Sequence, residues 1–109
     1  MAQLLNIVAT ECSPEEEVRF NNWYNDVHVP MLMKYSGITG VTRYRLKGEA
    51  KGAATYLACY EFNSMEDIEG LQKSDEFKAA MEEMQQSWPQ GGIEIKWAAV
   101  YEPLKKWAR

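Results

Sequence analysis

The sequence predicts an α+β domain of four strands and two main helices, and three observations support this class. Four short segments are rich in β-branched, aromatic and other apolar residues, as strands usually are. Two longer segments repeat apolar residues at helical spacing, and each follows a serine suited to capping a helix. Their order along the 109 residues is β, α, β, β, α, β. A chain of this length is expected to form one domain, residues 1–109.

Each predicted strand is bounded by residues typical of turns and loops. The segment Lys47–Ala54, with the sequence KGEAKGAA, is the most loop-like part of the chain and is expected to join two neighbouring strands. The four predicted strands are Gln3–Thr10, Val41–Leu46, Thr55–Phe62 and Ile93–Tyr101.

The first helix is predicted to begin at Ser13-Pro14. Serine caps a helix, proline fits its first position, and Glu16 completes an S-x-x-E capping box. Apolar and aromatic residues then recur at i, i+3, i+4 and i+7, the spacing of a core-facing stripe. This stripe consists of Phe20, Trp23, Tyr24 and Val27.

His28 lies four residues beyond Tyr24, so it is expected to continue the buried face of the first helix. Pro30 cannot donate a hydrogen bond to the carbonyl of Asp26, and proline disfavours helical backbone at the residue before it. We therefore expect the helix to end or kink at His28.

The second helical region is predicted in two parts. Ser64 opens a short helical turn that ends near Gly70, and Ser74 caps a longer helix over Asp75–Ser87. The longer helix carries a stripe that predicts a core-facing side, made of Phe77, Met81, Met84 and Trp88.

This order of elements is the split β-α-β, or ferredoxin-like, arrangement, in which both helices cover one face of a four-stranded antiparallel sheet. The other face also carries apolar residues, so another surface must cover it. We expect that surface to be the same face of a second subunit, which makes the protein a homodimer with its sheets packed together.

Composition and charge exclude several classes. The formal net charge is −4 and the basic residues are scattered, which disfavours nucleic-acid binding, although one or two arginines can hold a small anion. No segment has the length of a membrane span, and no signal peptide is evident, so we expect a cytoplasmic protein. The two cysteines lack metal-binding spacing, and no phosphate-cradling glycine loop occurs, so we expect neither a metal nor another cofactor.

His28 is the leading candidate for a catalytic residue, because it is the only histidine and histidine titrates nearest to neutral pH. A helix end favours the protonated ring, whereas burial among aromatic residues opposes it. Either result is expected to leave a titration close to the working pH. The alternative is a structural histidine that binds the freed carbonyl of Asp26 or a nearby loop.

Seven further residues are candidates for binding a substrate, and each has a structural alternative. The asparagines can hold a substrate oxygen or lie on a solvated surface or in a strand, and an arginine can bind a carboxylate in the cleft or lie at the sheet edge. The aromatic residues can form walls for a flat ligand or belong to the core. The candidates are Asn6, Trp23, Tyr24, Asn25, Arg43, Tyr44 and Trp88.

The stretch from Glu15 to Leu46 resembles the EthD-like group of small dimeric α/β-barrel proteins. The resemblance depends on an early helix with an aromatic pair, an H-x-P motif, a glycine turn and an R-Y-R strand. It implies a homodimer with one cleft per subunit between sheet and helices. The matching positions are Phe20, Trp23-Tyr24, His28-Val29-Pro30, Gly37 and Arg43-Tyr44-Arg45.

The resemblance also implies a range of functions, since relatives include cofactor-free isomerases, lyases and monooxygenases as well as haem-degrading proteins. Our leading hypothesis is a cofactor-independent isomerase, lyase or hydrolase that acts on a small oxygenated acid, lactone or intermediate of aromatic catabolism. His28 would move the proton. The alternatives are a non-catalytic ligand-binding or auxiliary dimer, and a member that uses haem or oxygen.

Overall fold

In the computed structural model, which describes residues 3–109, four strands form one antiparallel sheet. The strands lie side by side in the order β2-β3-β1-β4, so β1 and β3 are central. This arrangement confirms the predicted α+β class and its ferredoxin-like order. The strands are β1 (Leu4–Cys12), β2 (Ile38–Arg45), β3 (Tyr56–Phe62) and β4 (Ile93–Tyr101).

The connection between β1 and β2 is a helical segment of four successive pieces. Its first turn, a 3₁₀ helix, has Pro14 at its first position as predicted, but the side chain of Ser13 makes no capping hydrogen bond. The carbonyl of Ser13 instead accepts from the N–H of Glu16 at 3.0 Å. The pieces are the 3₁₀ turn Pro14–Glu16, α1 (Glu17–Trp23), a π-helical turn (Tyr24–His28) and α2 (Val29–Leu32).

Of the two outcomes predicted at His28, an end or a kink, the end does not occur. The backbone is helical at His28 and at Val29, and helical structure continues to Leu32. The hydrogen bonding changes just before Pro30, where the N–H of Val29 donates to the carbonyl of Tyr24, five residues earlier. The missing N–H of the proline is thus accommodated by a wider turn before it.

The connection between β3 and β4 contains α3 (Met65–Gln72) and α4 (Asp75–Ser87), so the predicted bounds of the longer helix are confirmed. The side chains of Ser64 and Ser74 cap the two helices by accepting from the N–H groups of Asp67 and Phe77, each at 3.1 Å. Across residues 3–109, none of the helices is both long enough and apolar enough to cross a membrane.

The core lies between the helices and one face of the sheet. Phe20 of α1 and Phe62 of β3 are fully buried within it. Alternate residues of β3 point to this face because side chains alternate along a strand. The other buried members include Trp23, Tyr24, Ile38, Tyr56, Ala58, Tyr60, Ile68, Leu71 and Trp88.

Across residues 3–109, no helix covers the opposite face of the sheet, which is mainly apolar. Its composition follows from the cross-strand register, which pairs Leu5 with Tyr101 and Ala9 with both Leu57 and Trp97. Trp97 and Tyr101 are 42% and 53% exposed. We call these residues and their neighbours the open sheet face.

Loss of the central aromatic ring at the helix–sheet contact is expected to destabilise the fold strongly. Phe20→Ala removes a fully buried ring and should lower the free energy of unfolding by about 3–5 kcal/mol. Val18 on the same helix is 75% exposed, so Val18→Ala should change it by less than about 0.5 kcal/mol. Urea unfolding followed by circular dichroism measures both, and equal small losses would contradict the described core.

Candidate functional site

A cavity of about 220 Å³ lies between the helical layer and the side of the sheet formed by β1, β3 and β4. The sheet contributes its helix-facing residues, and the helices contribute a mainly apolar wall. The lining residues are Asn6, Val8, Thr10, Trp23, Tyr24, His28, Leu32, Tyr60, Leu71, Gln72, Phe77, Met81, Met84, Ile93, Ile95 and Ala98.

His28 is held in this cavity by aromatic rings. It is 6% exposed, as expected for the buried face of the helix. Its ring stacks on Trp23, with centroids 4.7 Å apart and planes at 22°, and meets the edge of Tyr24 at 5.0 Å. The stack and the edge contact fix the plane of the imidazole without using either ring nitrogen.

The π-helical turn explains why Trp23 reaches His28. In a regular α-helix two residues five apart lie about 140° apart around the axis and do not face each other. The wider π turn holds more residues per turn, which brings residues five apart closer to one face. Pro30 therefore acts on the site indirectly, through the turn that precedes it.

The two nitrogens of His28 differ in their surroundings. Nδ1 is fully buried and has no hydrogen-bond partner among the described residues. The structural alternative, in which His28 binds the carbonyl of Asp26, is thus not what the structure shows. His28 lines the cavity, and Nε2 is its other ring nitrogen.

The pKa of His28 is lowered from 6.5 to about 4, mainly by burial; the carboxylate of Glu83 raises it and the guanidinium of Arg43 lowers it by smaller amounts. The expectation that His28 titrates close to the working pH is therefore wrong. Burial dominates because the ring lies among other rings and no carboxylate hydrogen-bonds to it. At neutral pH the ring is uncharged and can accept a proton.

Two tyrosines, Tyr24 and Tyr60, line the same cavity. The hydroxyls of Tyr24 and Tyr60 lie 3.2 Å apart, in hydrogen-bond contact and buried. Only one of the two protons is needed for that bond, so the other is free to be donated to a ligand. Burial raises the pKa of both tyrosines, that of Tyr60 well above its usual value, so both hydroxyls remain protonated.

Polar groups outside the cavity hold its aromatic walls. The indole Nε1 of Trp23 donates to Glu83 at 2.8 Å, and Glu83 also accepts from the hydroxyl of Ser87. On the far side of Tyr24, the guanidinium of Arg43 lies 4.3 Å from the centre of the tyrosine ring. The two rings that hold His28 are thus each fixed from behind by a charged residue.

The predicted site residues fall into three groups in the structure. Asn6, Trp23, Tyr24 and His28 come together around the cavity. Trp88 does not line it: the ring is buried in the core against Phe20 and Trp23, with the guanidinium of Arg19 stacked on it. The remaining three candidates lie elsewhere.

Asn25, Arg43 and Tyr44 surround a second, shallower pocket of about 320 Å³ at the β2 edge of the sheet. Arg43 is bound there by two helix asparagines, donating to Asn25 at 2.7 Å and to Asn21 at 2.9 Å. Arg43 therefore joins the sheet to the helix and does not line the cavity, and its guanidinium lies over the ring of Tyr24. Its role in substrate binding stays a prediction.

Sequence reasoning missed the part of the cavity that α4 and β4 provide. Phe77, Met81 and Met84 were predicted to be core residues, but they are only half-buried and line the cavity. Helical spacing identifies the side of a helix that turns inward, but it does not distinguish a wall packed against the sheet from one that faces a space. Tyr60 was missed because it lies in a continuous apolar strand, where the pattern does not distinguish a core residue from one that lines a cavity.

The fold and this cavity define a protein of ferredoxin-like fold with a buried histidine at its candidate site. The chain belongs to the family described as a domain of unknown function, DUF4286, whose model matches residues 3–95. No curated protein sequence matches the chain significantly.

Several solved structures are similar to the chain over nearly their whole length. An EthD family protein from Bacillus halodurans is 18% identical, with 97% of this chain and 100% of the other covered and a TM-score of 0.65. HapK from Hahella chejuensis is 11% identical, with 97% and 98% covered and a TM-score of 0.73. A dimeric protein from Bacteroides fragilis is 15% identical, with 93% and 94% covered and a TM-score of 0.60. These likenesses show the fold.

The low pKa of His28 can be measured directly, because the chain has one histidine and hence one imidazole signal. We expect NMR titration to give a value near 4, against about 6.5 in the unfolded chain. Between these values the unfolded chain binds more protons, so stability should fall as the pH drops from about 6.5 to 4, by at most about 3 kcal/mol.

A His28→Gln variant is the control for that loss, because it should lack this part of the pH dependence. A measured pKa of 6.5 or higher in the folded protein would contradict the described burial of the ring.

Proposed function

We propose that the His28 cavity is the active site of a cofactor-independent acid/base enzyme that acts on a small oxygenated molecule. One observation carries the proposal: a neutral, buried histidine and a spare tyrosine hydroxyl proton share one largely apolar cavity. The reaction class is an isomerisation, dehydration, decarboxylation or ester hydrolysis, for which proton transfer is common.

In this mechanism the tyrosine pair binds the substrate oxygen and His28 moves a proton. The hydroxyl of Tyr24 or Tyr60 whose proton is free donates a hydrogen bond to a carbonyl oxygen. As Nε2 of His28 removes a proton from the neighbouring carbon, negative charge develops on that oxygen and the tyrosine hydrogen bond strengthens. The mainly apolar walls lower the local dielectric constant, which strengthens each polar contact with the substrate.

The other predicted residues take part in different ways. Asn6 and Trp23 line the same cavity, so they would contact the substrate directly. Asn25, Arg43 and Tyr44 would contact a substrate only if it extended to the second pocket. Arg43 otherwise acts through Tyr24, whose ring it covers.

A haem-binding site receives less support from the dimensions of the cavity. Pockets for drug-sized ligands usually hold about 300 Å³ or more, and the haem macrocycle is larger than many such ligands. The cavity beside His28 holds about 220 Å³. We therefore do not assign His28 as a haem ligand.

The protein is further proposed to act as a homodimer through the open sheet face. Large aromatic residues on this face, Trp97 and Tyr101, are about half exposed in the single chain. An apolar sheet face of this kind usually packs against another surface. A dimeric protein of the same fold supports the proposal without showing the pairing in this chain.

The catalytic proposal predicts exchange of acidic carbon-bound protons. In D₂O, the protein should accelerate loss of the α-proton NMR signal of at least one compound in a panel of enolisable ketones, lactones and keto acids. His28→Gln should slow this exchange by about 10²–10⁴-fold, the usual contribution of a general base. The wild-type rate should be constant from pH 8 to 5 and decrease near pH 4, as His28 becomes protonated.

Tyr56→Phe is a matched control for the exchange measurement. Tyr56 is a buried tyrosine of the same strand as Tyr60, but its hydroxyl donates to Glu17 and does not line the cavity. Full activity of His28→Gln would refute the role of the histidine. Binding of panel compounds without any exchange would favour the non-catalytic alternative.

The dimer is tested by changing the centre of the open sheet face. Leu57 faces this side beside Ala9 and Tyr44, so Leu57→Glu would bury a charge in the proposed interface. We expect wild type to sediment as a dimer at micromolar concentration and Leu57→Glu as a monomer. Val18→Glu, on an exposed helix position, should stay dimeric. A monomeric wild type would contradict the proposal.

A further inference from the structure

We infer that the His28 cavity selects a neutral, flat, mainly apolar molecule with one hydroxyl or enolisable carbonyl group, and that it discriminates against carboxylates. The inference deepens the proposed function, because it concerns the same site. It narrows the substrate class to compounds such as phenols and cyclic enols. The inference is opposed to the expectation from the sequence that Arg43 binds a substrate carboxylate.

The charges around the cavity carry the first part of the argument. None of the described residues that line it is Asp, Glu, Lys or Arg. Glu83 lies behind Trp23, where it accepts the indole hydrogen bond, and its negative charge would repel an anion. A carboxylate in the cavity would thus lose its hydration and meet no cation in contact.

Arg43 is the nearest candidate for such a cation, and its contacts point elsewhere. Both terminal nitrogens of the guanidinium donate to the amide oxygens of Asn21 and Asn25. Its flat side covers the ring of Tyr24, so the tyrosine stands between Arg43 and the cavity. Reaching a ligand in the cavity would require Arg43 to leave these contacts.

The polar atoms that do face the cavity suit a hydroxyl group. A hydroxyl oxygen can accept the spare proton of the Tyr24–Tyr60 pair and at the same time donate its own proton to neutral His28. A carboxylate has no proton to donate, so it would leave the histidine unpaired. An enol or phenol satisfies both groups with a single oxygen.

Size and shape fit one or two rings. An apolar cavity of about 150 Å³ is known to hold benzene, so about 220 Å³ accommodates a larger aromatic body. Trp23 and Tyr24 provide flat walls, and Met81 and Met84 on α4 can adjust to the outline of a ligand.

The test compares two probes of nearly equal size, 2-naphthol and 2-naphthoate, by isothermal titration calorimetry at pH 7. We expect 2-naphthol to bind at least tenfold more tightly, and to shift the single imidazole NMR signal. Tyr60→Phe should weaken 2-naphthol binding about threefold to tenfold, the usual effect of one hydrogen bond. Tyr56→Phe removes a hydroxyl outside the cavity and should change the affinity for 2-naphthol by less than twofold.

Equal or tighter binding of 2-naphthoate would overturn the inference, and so would the absence of 2-naphthol binding. Tyr24→Phe provides a second variant if Tyr60→Phe does not fold. The outcome is independent of catalysis: selective binding of 2-naphthol with no proton exchange would refute the enzyme and leave the selectivity established. Proton exchange accompanied by a preference for 2-naphthoate would support the enzyme and refute the selectivity.

Discussion

The missing N–H of Pro30 is the constraint on which the site depends. An α-helix that continued regularly through this proline would lose a hydrogen bond and clash with the preceding turn. The backbone instead forms a π-helical turn over Tyr24–His28, in which the N–H of Val29 donates to the carbonyl of Tyr24. That turn brings Trp23 and His28, five residues apart, into a stack that a regular helix does not allow. The site thus originates in a backbone adjustment to one residue outside it.

The consequence of the stack is a histidine oriented by rings and kept neutral. Catalytic histidines are commonly oriented by a hydrogen bond that the second ring nitrogen donates, usually to a carboxylate or carbonyl oxygen. Here Nδ1 has no such partner among the described residues, and orientation comes from Trp23 and Tyr24. Glu83 and Arg43 hold those rings from outside. Burial without a charged partner lowers the pKa, so that the free base persists at neutral pH.

Most of the fold could be predicted from local signals. Ile93–Tyr101 and Asp75–Ser87 were bounded correctly because glycines, a proline and a capping serine mark their ends. The end of the first helix could not be predicted in this way. The missing N–H of Pro30 requires a change in hydrogen bonding, but it does not determine whether the helix ends or widens. The two outcomes differ in tertiary packing, which local sequence does not contain.

Apart from Asn6 of β1, the cavity residues that could be predicted share one helix. His28, Trp23 and Tyr24 were found because helical spacing places them together. Tyr60, Met81 and Ile95 reach the cavity from three other elements, and their positions depend on sheet register and on how α4 sits over the sheet. The strand pattern placed Arg43 and Arg45 on one face of the second strand but did not decide whether that face meets the helices. The asparagines that bind Arg43, and the tyrosine ring that it covers, follow only from three-dimensional contacts.

The central claim is that His28 and the tyrosine pair together bind the oxygen of a neutral ligand. A crystal structure of the protein with 2-naphthol bound tests it most directly. The account predicts the naphthol oxygen within about 3.2 Å of Nε2 of His28 and of a hydroxyl of Tyr24 or Tyr60. A naphthol bound at the pocket of Arg43, or bound in the cavity with its oxygen away from His28, would contradict it.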